Sequence, residues 1–176
     1  KVDTHFEDGY KCDLCRDDFG DDQYANAIAC SSRQVAELVH WIQEQDFYEN
    51  TTIILCGDHT TMDTDFCNPV DPAYTRKTYC TVINPAVEPA DPGRRREYST
   101  LVLFPTTLAA MGVTIEGDRL GLGTNLFSGQ DTLVEQLGFE EMQERLSHKS
   151  DFMDKLANIQ VTEELMDQVQ ATATVD

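Results

Sequence analysis

The chain has 176 residues, 40% of them apolar, which is enough for a folded domain with a core and excludes a disordered chain. Its 32 acidic and 13 basic residues leave a net charge of −19, a surface that repels nucleic acid and anionic lipid headgroups within a Debye length. No stretch reaches the ~18 consecutive apolar residues that span a bilayer. Lys1 to Phe6 read as a short strand. The chain starts without Met or a signal peptide, so it is expected to begin in mid-domain. Residues 7 to 22 are acid-rich and read as a surface loop holding Cys12 and Cys15. An amphipathic helix follows over Tyr24 to Gln45. Tyr24, Ile28, Ser31, Val35, Leu38 and Ile42 recur at spacings of three and four, and Asp21 or Asp22 is placed to cap its start. The β-branched run Thr51 to Leu55 then reads as a strand.

A strand, a long helix and a second strand make a βαβ unit, whose right-handed crossover places both strands parallel in one sheet. Their carboxyl ends share one edge, where open α/β sheets bind ligands. His5 closes the first strand, and Asp58-His59 follow the second across Gly57. Carboxylate oxygen and imidazole nitrogen both suit a divalent ion. Phosphoryl transfer asks mainly for positioning and charge neutralisation, which such an ion supplies. The plainer alternative is a loop-capping Asp58 beside a polar strand-end His59, with His5 a satisfied edge histidine.

Residues 60 to 76 read as a polar loop, in which Asp63 and Asp65 are candidates to support the pair from behind, or simply solvated groups. Thr78 to Ile83 reads as a strand closed by Asn84-Pro85. Residues 84 to 96 carry three prolines and end in Arg94-Arg95-Arg96, a basic run that suits a lipid phosphate or an exposed loop equally. Leu103 to Met111 reads as a helix with Pro105 in its first turn and Gly112 as its stop. Gly117 to Gly123 is a turn segment. From residue 129 the pattern changes to three short acidic helices, frayed after Ala157. His40 and His148 fall on helical patterns as surface residues.

The six cysteines are Cys12, Cys15, Cys30, Cys56, Cys67 and Cys80. An even number permits disulfides, which would place the chain outside the cytosol. Cys12-Asp-Leu-Cys15 also has the spacing of half a zinc knuckle, although no second close pair follows, since Cys56 and Cys67 are eleven apart. Cys30 and Cys56 lie in apolar patterns and are expected to be buried thiols.

Several ordered motifs carry a resemblance. Ala25 to Glu37, Asp46 to Ile54, Gly57-Asp-His-Thr-Thr-Met-Asp-Thr-Asp-Phe66, Arg96-Glu-Tyr-Ser-Thr100, Phe104 to Val113 and Asp118 to Phe127 resemble the C-terminal part of the lipoteichoic acid synthase-like phosphoglycerol transferases, within the sulfatase and alkaline phosphatase superfamily. The match covers residues 1 to about 128. It implies an α/β fold with a mostly parallel sheet flanked by helices, here a partial catalytic domain over 1–128, followed by an acidic helical tail over 129–176. It implies transfer of glycerol phosphate from a phosphatidylglycerol-like lipid to a cell-envelope polymer or glycan, through a phosphoryl-threonine intermediate. A sulfatase or phosphodiesterase is the near alternative, and a non-catalytic scaffold fragment the other. The implied cofactor is a divalent metal, Mn²⁺ first, with Zn²⁺, Mg²⁺ or Ca²⁺ as alternatives. Asp58 and His59 match the family's second pair of metal ligands, and His5 the position that helps hold the phosphoryl group. The nucleophile and first acidic ligand would lie upstream, so this chain alone is expected to be inactive. The implied setting is the extracytoplasmic face of a bacterial membrane, with the upstream half supplying the anchoring helices and no nucleic acid as partner. The family often carries an acid where this chain has Val102, which bears on the hydrogen bonding at the start of the Leu103 helix.

Overall fold

The computed structural model describes residues 12–158; the expected strand at Lys1 to Phe6, with His5, lies outside them, as does, beyond Asn158, the tail expected to fray after Ala157. The chain divides into two units, residues 1–132 and 133–176.

The first unit begins with the Cys12–Asp22 loop and helix α1 (Gln23–Gln43). Asp22 caps the helix by accepting from the Ala25 N–H at 2.9 Å, as the acidic pair before the apolar repeat predicts. Asn26, Ala27, Cys30 and Val39 are buried. Ile28 and Leu38 of the expected apolar stripe stay exposed, as does Trp41 beside it. Tyr24, Ile28, Ser31 and Val35 instead face an open groove of about 790 Å³ that reaches Leu55 and Gly57. After Gln43 the chain turns, and Trp41 and Phe47 meet edge to face with centroids 6.2 Å apart.

Strand β1 (Ile53–Cys56) follows, then the one-turn helix α2 (Thr64–Cys67), then β2 (Cys80–Ile83). β1 and β2 pair antiparallel, with Ile53 opposite Ile83 and Cys56 opposite Cys80. The mostly parallel sheet expected from the sequence is therefore not the arrangement of the described strands. The connection from Gly57 to Tyr79 is long enough for a crossover but carries only the one-turn helix α2 in place of the long helix of a βαβ unit, and the chain returns beside β1 in the opposite direction. At the end of β2, Asn84 adopts φ 53°, a left-handed conformation that asparagine tolerates better than most residues. Its side chain donates to the Tyr48 and Thr51 carbonyls at 2.9 and 3.0 Å, fixing the chain's entry into β1.

Helix α3 (Leu103–Ala110) is preceded by a short 3₁₀ turn at Thr100–Val102. Pro105 sits in its first turn, and Gly112 follows with φ 88°, as the sequence predicts. Val102 is buried at the helix start and supplies no capping side chain. The Gly117–Gly123 segment holds a minimal hairpin of β3 (Arg119–Leu120) and β4 (Gly123–Thr124). Val102, Pro105, Thr106, Ala109, Ala110 and Thr124 form the buried cluster at this end of the unit.

The second unit contains α4 (Leu133–Leu137), α5 (Phe139–Ser147) and α6 (Asp151–Ala157), in keeping with three short helical patterns. α4 packs against α5, and Ser150 caps α6 by accepting from the Met153 N–H. No helix among the described residues is long and apolar enough to cross a membrane.

Candidate metal-binding site

β1 delivers Asp58 and His59 just past its end. The strand's pairing ends at Gly57, whose N–H donates to the Tyr79 carbonyl at 2.8 Å just beyond the β1–β2 ladder. Both side chains that follow are open to solvent, Asp58 at 89% and His59 at 59% exposure. They face each other: Asp58 Oδ2 lies 3.5 Å from His59 Nε2. Donors ~2.0–2.2 Å from one ion stand about 3–3.5 Å apart between octahedral and tetrahedral angles, so the pair has the spacing to share a cation. Asp58 Oδ1 accepts from the His59 backbone N–H at 2.9 Å, which orients the carboxylate. His59 Nδ1 lies 2.9 Å from the Thr60 carbonyl. That oxygen can only accept, so Nδ1 carries a proton, and in the neutral ring Nε2 keeps its lone pair for a metal. The donor set fits a divalent ion.

The segment after the pair is tied down on both sides. The Tyr24 hydroxyl of α1 meets Thr61 Oγ1 at 2.5 Å, and Tyr24 stacks at a tilt on Phe66 with centroids 4.8 Å apart. Arg76 donates to the Thr61 carbonyl at 3.0 Å. Asp63 caps α2 by accepting from the Phe66 N–H at 2.8 Å, so its carboxylate serves the helix, and Asp65 lies exposed in the first turn. Among the described residues no third His, Cys, Asp or Glu joins Asp58 and His59 as a ligand cluster. His5 lies outside those residues, and His40 and His148 are exposed.

The basic run divides into different jobs. Arg94 pairs with Asp131 at 2.6 Å. Arg96 donates to the carbonyls of Leu126, Ser128 and Gln130. Two of the three arginines thus clamp the segment after β4, while Arg95 is exposed.

A second cluster escaped the sequence reading. Cys12, Cys15 and Cys30 bring their sulfurs within 4.8 Å of one another. Burial pushes the Cys15 thiol up, opposed by a Cys12 backbone hydrogen bond and reinforced by Cys30 and Cys12. Burial acts in the same direction on Cys30, but hydrogen bonds from Gln34, Cys15 and Cys12 and the charge of Arg33 outweigh it and leave that thiol below its ordinary value. Cys30 is buried as expected; Cys56, expected buried, is exposed because it sits at the open end of the two-stranded sheet. The available signal was Cys30 on the first half of α1, fifteen residues after Cys15, with nothing local to say that the loop folds back onto it.

No family profile and no solved structure matches the chain. Three curated relatives do, each named phosphoglycerol transferase I. The protein from Citrobacter koseri is 34% identical over 35% of this chain and 9% of its own length. Those from Escherichia fergusonii and Salmonella choleraesuis are 28% and 26% identical, each over 73% of this chain and 17% of its own length. The chain thus spans less than a fifth of these relatives, and what the comparison establishes is a distant, partial similarity to phosphoglycerol transferase I.

Proposed function

We propose that the chain is the metal-binding C-terminal part of a phosphoglycerol transferase of the sulfatase-like kind, with Asp58 and His59 as two ligands of a divalent ion, Mn²⁺ in the first instance. The observation that carries this reading is the mutually facing, solvent-open carboxylate and imidazole beyond β1, in a chain similar to enzymes named for phosphoglycerol transfer. A bound divalent ion would supply positive charge against phosphoryl oxygens in a chain whose own charge is −19. The residues do the rest. Asp58 Oδ2 and His59 Nε2 bind, the Thr60 carbonyl holds the Nδ1 proton, and Tyr24 and Arg76 keep the following segment in place.

On this reading, His5 contacts the phosphoryl group, and the nucleophile and remaining ligands come from upstream residues. The donor is a phosphatidylglycerol-like lipid and the acceptor a cell-envelope glycan or polymer, at the extracytoplasmic face of a membrane. The isolated 176 residues turn over no phosphodiester. Calorimetric titration of Mn²⁺ into the chain gives weak binding that D58A or H59A each reduces by about tenfold or more. In the longer polypeptide carrying these residues, either change abolishes transfer from a glycerophosphodiester lipid analogue. Full transfer by either variant overturns the assignment.

A further inference from the structure

The geometry points to a second metal site, independent of Asp58 and His59: Cys12, Cys15 and Cys30 form a three-thiolate centre for Zn²⁺ that staples the Cys12–Asp22 loop onto α1. Cys12 Sγ lies 3.8 Å from Cys15 Sγ and 3.7 Å from Cys30 Sγ. Two sulfurs ~2.3 Å from one tetrahedral zinc are separated by about 3.8 Å. These are the spacings of a coordination edge, and none of the three sulfurs is bound in a disulfide among the described residues.

Close thiols in a packed core reach similar separations, and the S···S contacts at 3.7 and 3.8 Å also serve as hydrogen bonds between thiols; the N–H donors around them add to the case for a metal. Each sulfur has its own N–H donor. Cys12 N–H points to Cys15 Sγ at 3.3 Å, Leu14 N–H to Cys12 Sγ at 3.4 Å, and Gln34 Nε2 to Cys30 Sγ at 3.5 Å. A neutral thiol is a weak acceptor; three donors aimed at three sulfurs suit thiolates. The Cys15 N–H closes a turn on the Cys12 carbonyl at 3.0 Å, which holds both sulfurs of the Cys-x-x-Cys on one side.

The surroundings are built for it. Cys30 is 1% exposed, while Cys12 and Cys15 are half-buried, leaving room for a water as fourth ligand. The loop is held in register by Asn26, fully buried, which accepts from the Phe19 N–H at 2.8 Å and donates to the Gly20 carbonyl at 2.9 Å. Binding Zn²⁺ by three thiols releases three protons to solvent and leaves a centre of charge −1. Arg33, three residues after Cys30, lies close enough for its charge to act on the Cys30 sulfur, while its Nη1 is paired with Asp18 Oδ2 at 2.5 Å. Its Nη2 is buried without a hydrogen-bond acceptor among the described residues. Soft sulfur ligands favour zinc over Mn²⁺ or Mg²⁺, so the two sites differ in metal as well as place.

The test uses the full 176-residue chain, reduced and then freed of reductant and chelator. Elemental analysis after zinc loading and desalting is expected to find one zinc per chain. Co²⁺ in its place is expected to give thiolate-to-metal charge-transfer absorption and the visible bands of a tetrahedral ion. Cys12→Ser, Cys15→Ser and Cys30→Ser each weaken zinc in competition with a chromophoric chelator by more than the ~10–100-fold that loss of an outer-shell partner costs. C56S, C67S, D58A and H59A leave it unchanged. The Co²⁺ spectrum of the unsubstituted chain needs no variant to fold. Its lack of a thiolate band overturns the inference. So does a disulfide within the trio in chain isolated without reductant, or zinc held equally by all three serine variants.

Discussion

Gly123→Ala is the substitution whose cost the structure sets most directly. A Cβ on Gly123 would lie 2.1 Å from the Leu101 carbonyl oxygen and 2.9 Å from Pro105 Cγ. Real Cβ atoms keep about 3 Å or more, so the nearer contact is about 1 Å too close. Neither obstacle can swing away. One is backbone in the turn before α3, and the other is a ring whose torsion is already fixed. Relief requires β4 to move off α3, opening the cluster of Val102, Thr106 and Ala110. Overpacking of rigid neighbours sits at the upper end of its usual range, about 3 kcal/mol, which for a chain of this size is a fall of roughly 6–12 °C in Tm. Trp41 is the single tryptophan and lies in the first unit, so its fluorescence in urea reads that unit. Gly129→Ala, where an added Cβ meets nothing within 4 Å, is the control and should change stability by less than about 0.5 kcal/mol. A cost below about 1 kcal/mol for G123A would refute the close approach of β4 to the Leu101 carbonyl.

Arg96→Ala removes a guanidinium that three carbonyls share, and should cost about 2–3 kcal/mol in urea unfolding and expose the 125–131 segment to limited proteolysis. Arg95→Ala, on an exposed side chain, should stay within about 0.5 kcal/mol of the parent. Tyr98 is held above the ordinary tyrosine value, first by burial and then by Cys80, so the Y98F difference spectrum should show phenolate appearing only above about pH 10. Because its folded value is raised, the contribution is full below the unfolded value and is lost as pH rises through the folded one, so Y98F should flatten the alkaline loss of stability.

Much of the fold is legible locally. Asp22 before an apolar repeat starts α1, Pro105 and Gly112 bracket α3, and the β-branched run ending at Gly57 is a strand that carries Asp58 and His59 to its end. Those signals act through caps, periodicity and backbone preference over a few residues, which is why a single chain displays them. Only the folded chain shows that β1 and β2 run antiparallel, because pairing depends on how the Gly57–Tyr79 connection returns. Likewise, Arg94 and Arg96 meet their partners thirty or more residues away, and Cys30 meets Cys12 and Cys15 only when the acidic loop folds back onto α1. Contacts between segments distant in sequence are set by packing and chain return, and no spacing along the sequence encodes them.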